Sequence, residues 1–126
     1  MTEVIERRPR VLVVDDSATV RDQLRQALDP AGYEVVEARD GVEGLAAVRD
    51  NNDLAMIICD VHMPRMDGIQ LITTLHGEGN ELPVLMLTTE GQAQLIRQAK
   101  AAGARGWIVK PFDAGLLAKA VQSIID

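Results

Sequence analysis

The sequence predicts one α/β domain in which a parallel five-stranded sheet carries helices on both faces. The first observation is a set of five short apolar runs, rich in β-branched residues, that have the length and composition of buried strands. The second is that a segment with apolar residues at helical spacing follows each run. Strands that are apolar on both faces and separated by single helices are typical of a doubly wound (βα)5 sheet with right-handed crossovers.

Strands and helices alternate along the whole chain. The predicted strands span residues 11–14, 33–36, 54–59, 83–87 and 106–109. The apolar residues that mark the helices are, in chain order, Val20, Leu24 and Leu28; Val42, Leu45 and Val48; Ile69, Ile72 and Leu75; Leu95, Ile96 and Ala99; and Leu117, Val121 and Ile124 or Ile125. Pro30 and Gly32 after the first helix, and Gly103 after the fourth, are residue types that commonly follow a helix end.

Length and composition indicate a single globular domain. The chain has 126 residues, of which 47% are hydrophobic and 25% are charged, as is usual for a soluble domain of this size. We expect residues 1–9 to form an N-terminal tail and residues 10–126 to form the domain. No internal repeat or linker divides the chain.

Charge and cysteine content narrow the function classes. The formal charge of −6 disfavours nucleic acid as a partner of this chain alone, because phosphate backbones are bound through basic patches. No apolar run has the length of a signal peptide core or a membrane span, so we expect no membrane insertion. The lone Cys59 fits a reducing compartment such as the cytoplasm, and we interpret it as a small buried apolar residue.

Reactive side chains follow four of the five predicted strands. Asp15 and Asp16 come after the first strand, Asp60 after the third, Thr88 after the fourth and Lys110 after the fifth. The second strand ends without such a residue, as expected for an edge strand. Because the carboxyl ends of parallel strands meet at one edge of a sheet, we expect these side chains to converge there.

Each of these residues also has a purely structural explanation. Asp16 or Ser17 would serve as the cap of the first helix, and we interpret Asp67-Gly68 as a turn and cap before the third helix. Lys110-Pro111 would be a strand exit, and Thr88 a β-branched strand residue. Three carboxylates, a hydroxyl and an ammonium group at one sheet edge exceed what capping requires, so we favour a functional site.

The chemistry of this group of side chains indicates a cation and a phosphoryl group. Crowded carboxylates repel one another, which raises at least one pKa or recruits a cation. Since the donors are oxygens, Mg²⁺ is favoured, with Mn²⁺ as the alternative. We expect His62, two residues after Asp60, to be a surface side chain. Lys110 adds a positive charge opposite the metal, and the set suits phosphoryl transfer.

Four motifs in order make the chain resemble the receiver domains of bacterial response regulators, especially the single-domain chemotaxis type. The motifs are Asp15-Asp16-Ser17, Cys59-Asp60 through Asp67-Gly68, Leu87-Thr88 and Lys110-Pro111-Phe112. The resemblance covers nearly the whole chain, from about Arg10 to Asp126. It implies a flavodoxin-like fold with strand order 2-1-3-4-5.

The resemblance also implies a role for each site residue. Asp60 is then the nucleophile that accepts a phosphoryl group from a histidine kinase, a phosphotransfer protein or a small phosphodonor. Asp16 and Asp60 coordinate Mg²⁺ through their carboxylates, His62 does so through its backbone carbonyl, and Asp15 acts through a bound water. Lys110 and Thr88 contact the phosphoryl oxygens.

A conformational switch is implied in the same way. Thr88 moves toward the phosphoryl group, Trp107 changes rotamer, and a target protein binds the face formed by the fourth helix, fifth strand and fifth helix. A cis peptide bond precedes Pro111. Thr89 narrows access to Asp60, while His62 and Glu90 occupy positions that tune the loss of phosphate.

Three alternatives stay open at this point. A phosphatase with an aspartyl-phosphate intermediate generally has a second acid two residues after the nucleophile, where this chain has His62. A flavin-binding protein is disfavoured, because no Ser/Thr/Gly-rich loop follows the first strand and aromatic residues make up only 2% of the chain. The chain is otherwise either an intact single-domain regulator or a receiver excised from a multidomain regulator or hybrid kinase.

Overall fold

Strands and helices alternate strictly in the structure, a computed structural model that describes residues 8–89 and 93–126. The strands are β1 (Arg10–Val14), β2 (Glu34–Ala38), β3 (Leu54–Asp60), β4 (Val84–Thr88) and β5 (Gly106–Val109). The helices are α1 (Ala18–Leu28), α2 (Gly41–Asp50), α3 (Gly68–Gly77), α4 (Ala93–Ala102) and α5 (Ala114–Ile125). No helix in the described ranges is both long enough and apolar enough to cross a membrane.

All five strands are parallel and lie in the order β2-β1-β3-β4-β5. The predicted fold class is therefore confirmed, with β2 at an edge. The register places Val14 opposite Cys59, and Thr88 opposite Val109. The carboxyl ends of β1, β3, β4 and β5 consequently meet at one edge of the sheet, where the reactive side chains follow.

Two apolar layers, one on each face of the sheet, form the core. Successive residues of β1 alternate between them: Leu12 and Val14 pack under α2, α3 and α4, whereas Val11 and Val13 pack under α1 and α5. Cys59 is fully buried in the first layer, as its interpretation as a small apolar residue requires. The sheet is thus fixed from both sides, which gives its carboxyl edge a rigid base.

Strand ends differ from the prediction by one or two residues. The second strand starts at Glu34 because the amide of Tyr33 still donates to Leu28 at the end of α1. It continues to Ala38, which pairs with Val14. Polar residues also belong to the ladder: Asp60 is the last residue of β3 and Thr88 the last of β4.

Helix ends follow the expected chemistry. Asp29 caps α1 just before Pro30, and Gly32 has a φ of 99°. Gly103, after α4, has a φ of 112°. Both glycines therefore occupy the left-handed region, where other residues are strained, as predicted from their places after helices.

Candidate functional site

Three carboxylates meet at the carboxyl edge of the sheet. Asp15 and Asp16 directly follow β1, and Asp60 ends β3; one carboxylate oxygen of each lies within 4.8 Å of the others. Asp15 is fully buried and Asp60 is 7% exposed, whereas Asp16 is exposed. The structure therefore brings together the three acidic residues that the sequence placed in one site, with one of them open to solvent.

Asp15 is held on all sides. Its amide donates to Ala38 of β2 (3.1 Å), and its Oδ1 accepts from the amide of Ser17 (2.9 Å). Its Oδ2 accepts from Lys110 Nζ (2.8 Å), and its carbonyl oxygen accepts from Arg21 (2.7 Å). Because both carboxylate oxygens have hydrogen-bond donors, Asp15 is a fixed acceptor in the site rather than a mobile one.

Helix capping accounts for neighbours of the site but not for its acids. The hydroxyl of Ser17 accepts from the amide of Val20 at the start of α1, so Ser17 is the N-cap and Asp16 is not. Asp67 caps α3 in a capping box with Gln70, as its interpretation as a turn and cap required. Asp16 therefore needs an explanation other than helix capping.

Lys110 joins the acidic group from β5. Its Nζ lies 2.8 Å from Asp15 Oδ2 and 3.2 Å from Asp60 Oδ2, and its side chain is only 14% exposed. Its amide donates to the carbonyl oxygen of Thr88 (2.7 Å), and its peptide bond to Pro111 is cis. One ammonium group thus contacts two of the three carboxylates.

Electrostatics leave the site with an excess of negative charge. Burial raises the pKa of Asp60 and the nearby charge of Asp15 raises it further, while Lys110 opposes both. Burial alone lowers the pKa of Lys110, but the hydrogen bond to Asp15 and the charges of Asp60 and Asp15 outweigh burial and raise it. Lys110 therefore stays charged, and three carboxylates face one cation.

The donor set fits a hard divalent cation. Its donors are carboxylate oxygens: two belong to the buried residues Asp15 and Asp60, and one belongs to Asp16, which is exposed. An ion bound beside Asp16 can therefore keep part of its hydration shell. Mg²⁺ typically binds through one or two carboxylates while keeping several waters. The residues present are therefore suitable for Mg²⁺.

We expect Asp16→Asn to stabilise the metal-free domain by about 1 kcal/mol, because it removes one of three like charges within 4.8 Å. The same change should weaken Mg²⁺ binding severely. Urea unfolding in EDTA and in excess Mg²⁺ measures both effects. A metal-free variant less stable than the unsubstituted protein would contradict the idea that Asp16 is held against repulsion.

The other predicted site residues lie around this edge. Thr88 is buried, 3% exposed, at the end of β4. His62 is an exposed residue just after β3, as predicted. Thr89 is exposed and lines a pocket of about 340 Å³ with Lys110 and Phe112. Glu90 lies outside the described residues.

Trp107 lies on β5, opposite Met86 of β4. Its ring is partly buried against the core layer under α2, α3 and α4. The Nζ of Lys100 in α4 lies 5.0 Å from the centre of the ring, a cation–π distance. Any change of Trp107 rotamer must therefore break or move this contact between β5 and α4.

Sequence reasoning missed a set of contacts that links the edge strand β2 to Asp15. Glu37 of β2 accepts from Arg21 (3.0 Å) and also pairs with Arg25; Arg21 in turn holds the carbonyl oxygen of Asp15. The hydrogen bond from Arg25 lowers the pKa of Glu37, and the bond from Arg21 adds to it. The four-residue spacing of the two arginines on α1 was the available signal.

Comparisons with known proteins agree on one family. The family model described as the response regulator receiver domain matches residues 11–122. The chemotaxis protein CheY1 of Helicobacter pylori is 36% identical over 119 residues, which cover 92% of this chain and 96% of that protein.

Solved structures are similar over nearly the whole chain. A structure of the chemotaxis protein CheY4 of Vibrio cholerae has a TM-score of 0.87 and 39% identity, with coverage of 94% of this chain and 99% of that one. A structure from a CheX-CheY-BeF3-Mg²⁺ complex of Borrelia burgdorferi has a TM-score of 0.86 and 30% identity, and covers 94% and 90%.

Proposed function

This chain belongs to the response regulator receiver domain family, and we propose that Asp60 is the residue on which it accepts a phosphoryl group. Receiver domains of response regulators are signalling switches, and relatives of this chain include chemotaxis proteins. The observation that carries the assignment to Asp60 is its place as a mostly buried carboxylate among Asp15, Asp16 and Lys110.

In the proposed reaction, a carboxylate oxygen of Asp60 attacks the phosphorus of a phosphohistidine or a small phosphodonor. The new O–P bond forms an acyl phosphate as the bond from phosphorus to the donor breaks, and the donor leaves with that electron pair. Lys110, already 3.2 Å from Asp60, donates to the phosphoryl oxygens, and the hydroxyl of Thr88 does so from β4. Little else is required, since phosphoryl transfer depends mainly on positioning and charge stabilisation.

We propose that Mg²⁺ binds beside Asp60. Asp16 and Asp60 would contact the ion through their carboxylates, His62 through its backbone carbonyl and Asp15 through a bound water. A bound Mg²⁺ supplies neutralisation of charge on the transferring oxygens. The excess of carboxylates over cations in the site supports this assignment.

The proposed partners are proteins. A histidine kinase or phosphotransfer protein would supply the phosphoryl group, and a target protein would bind the face formed by α4, β5 and α5. Two exposed apolar residues support that face: Val109 is 44% exposed and Leu116 is 64% exposed. We do not propose that this chain alone binds nucleic acid. A cytoplasmic location stays a prediction, and so does the assignment of residues 1–9 to an N-terminal tail.

Incubation with acetyl phosphate and Mg²⁺ tests the proposal. A switch of this kind should acquire no more than one hydroxylamine-sensitive phosphoryl group per chain, and EDTA should prevent labelling. Multiple turnover of p-nitrophenyl phosphate would instead favour the phosphatase alternative. Absence of any label, with the protein folded, would contradict phosphoacceptor function.

The fluorescence of Trp107 should respond to beryllofluoride with Mg²⁺, a mimic of the phosphoryl group. If Thr88 moves toward the mimic, space opens beside β4 and the indole changes rotamer and exposure. The coupling should be about 1 to 3 kcal/mol and should appear equally as tighter target binding when Asp60 is occupied. Thr88→Ala should blunt the response.

Acrylamide quenching separates a rotamer change from direct quenching by the metal. The comparison is Mg²⁺ alone against Mg²⁺ with beryllofluoride, on the unsubstituted protein and on Thr88→Ala. Identical accessibility of Trp107 in both conditions, with beryllofluoride binding shown independently, would rule out an aromatic switch at this residue.

A further inference from the structure

The loop between β3 and α3, residues 61–67, is fastened to the start of α2 at two points. Nε of Arg65 donates to Oδ2 of Asp40 at 2.8 Å, and the amide of Gly41 donates to the carbonyl oxygen of Met66 at 3.0 Å. A methyl group added at Gly41 would overlap Met66, so the two backbones lie in direct contact. The loop is therefore docked on α2 rather than supported only by its own strand and helix.

Asp40 serves both sides of this junction. Its Oδ1 accepts from the amide of Glu43 at 2.9 Å and caps α2, while its Oδ2 receives Arg65. Its side chain is only 8% exposed although that of Arg65 is 55% exposed. A buried carboxylate whose two oxygens bind different elements holds those elements in one relative position.

Arg65 adopts a backbone conformation that needs external support. Its φ is 67°, and it is the only non-glycine residue with positive φ in the described parts of the chain. An arginine has no intrinsic preference for the left-handed region and is strained there. Two contacts offset this cost: the pair with Asp40, and the hydrogen bond that the amide of Met66 donates to the carbonyl oxygen of Pro64 at 2.8 Å across Arg65.

The far end of the loop is closed as well. The amide of Gly68 donates to the carbonyl oxygen of Val61 at 2.9 Å, so residues 61–67 form a short closed arch directly after Asp60. His62 lies inside this arch, between the closure and the contact on α2. The contacts that hold Arg65 and Met66 therefore restrict the backbone of the segment that contains His62.

We propose that the Arg65–Asp40 pair is a positioning element that presets the β3–α3 loop for the divalent cation. The proposal rests on the function proposed above, in which the carbonyl of His62 contacts Mg²⁺. A loop already fixed loses less conformational freedom on binding, so affinity is higher than in a chain whose loop must order with the ion. Arg65 and Asp40 act through the loop and are not themselves ligands.

Two single substitutions test the pair, because long-range electrostatics predicts opposite effects for them. Asp40→Asn removes a negative charge but keeps a good N-cap for α2; Arg65→Gln removes a positive charge. Simple attraction of Mg²⁺ predicts weaker binding for the first and tighter binding for the second. Loss of positioning predicts weaker binding for both, by about two- to fivefold.

Arg39→Gln is the matched control. Arg39 precedes Asp40 and pairs with Glu43 at 2.7 Å on the exposed surface of α2, without touching the loop. Its loss should leave Mg²⁺ affinity unchanged or slightly tighter. Arg65→Lys keeps the positive charge and should bind Mg²⁺ more tightly than Arg65→Gln does. The double variant Asp40→Asn with Arg65→Gln should bind Mg²⁺ no more weakly than the weaker of the two single variants.

Titration calorimetry with Mg²⁺ alone measures these affinities. In metal-free protein, the amide of Gly41 should exchange hydrogen several times faster in Asp40→Asn and Arg65→Gln than in Arg39→Gln, because its acceptor is Met66 of the loop.

Arg65→Gly removes the pair with Asp40 while relieving the strain of the left-handed backbone. If another variant fails to fold, the Mg²⁺ affinity of Arg65→Gly decides whether the pair has a positioning role.

Unchanged Mg²⁺ affinity in folded Asp40→Asn and Arg65→Gly would overturn the positioning role, as would tighter binding in Arg65→Gln. Failure of the underlying function has a different signature. The unsubstituted protein would then bind no Mg²⁺, or Asp60→Asn would bind it equally well, whatever the Arg65 variants do.

Discussion

Replacing Asp60 with Asn is expected to abolish phosphoryl labelling by acetyl phosphate. The amide cannot form the acyl phosphate, and it also removes a charge from the carboxylate group that meets Lys110 at 3.2 Å. The substitution nearly conserves shape, so the fold should survive. Intact mass after incubation with acetyl phosphate and Mg²⁺ should show the label on the unsubstituted chain and none on the variant.

Asp67→Asn provides the matched control for that experiment. Asp67 lies in the same β3–α3 segment but caps α3, a role that Asn fills as well as Asp. Its variant should therefore label to the same extent as the unsubstituted protein. Equal labelling of Asp60→Asn and Asp67→Asn would show that Asp60 is not the acceptor.

The second large effect is expected at Gly68, the first residue of α3. A methyl group there would overlap the carbonyl oxygen of Asp60, which is strand backbone and cannot rotate away, and would also press on Met86. Gly68→Ala should therefore lower the free energy of unfolding by about 2 to 3 kcal/mol. It should also slow labelling, because relief of the overlap displaces either Asp60 or the β3–α3 loop.

Gly77 at the other end of α3 is the corresponding control. An added methyl group there meets no atom within 4 Å other than its chain neighbours and the backbone of its own helix. Gly77→Ala should be neutral or stabilise the protein by up to about 1 kcal/mol, since alanine favours helix over glycine. Urea unfolding of both variants tests the difference, and equal stabilities would refute the close approach of α3 to the end of β3.

The sequence was sufficient to predict the sheet because its strands are apolar on both faces and its helices carry one apolar stripe. Both patterns can be recognised from residues that are close together in the chain. The same patterns do not locate the ends of strands, because Asp60 and Thr88 join the sheet through backbone hydrogen bonds that do not depend on side-chain polarity. The acidic residues of the site were found because parallel topology alone brings strand ends together.

Supports from distant surface residues were beyond such reasoning. Arg65 and Asp40 are 25 positions apart, and each is an ordinary loop or cap residue until the fold places them at 2.8 Å. The same is true of Arg21 and Glu37, 16 positions apart. Charged residues are common on surfaces, so even the four-residue spacing of Arg21 and Arg25 does not by itself distinguish such a support from solvated side chains. Their roles follow only from three-dimensional contacts.

Chemical mapping of the phosphorylated residue tests the central claim most directly. Borohydride reduces an aspartyl phosphate to homoserine, which peptide mass spectrometry locates by position. After treatment with acetyl phosphate and Mg²⁺, homoserine is expected at position 60 and nowhere else, and EDTA should suppress it. A stable label on His62 or His76, or homoserine at another acidic residue with position 60 unmodified, would contradict the assignment of Asp60 as the phosphoacceptor.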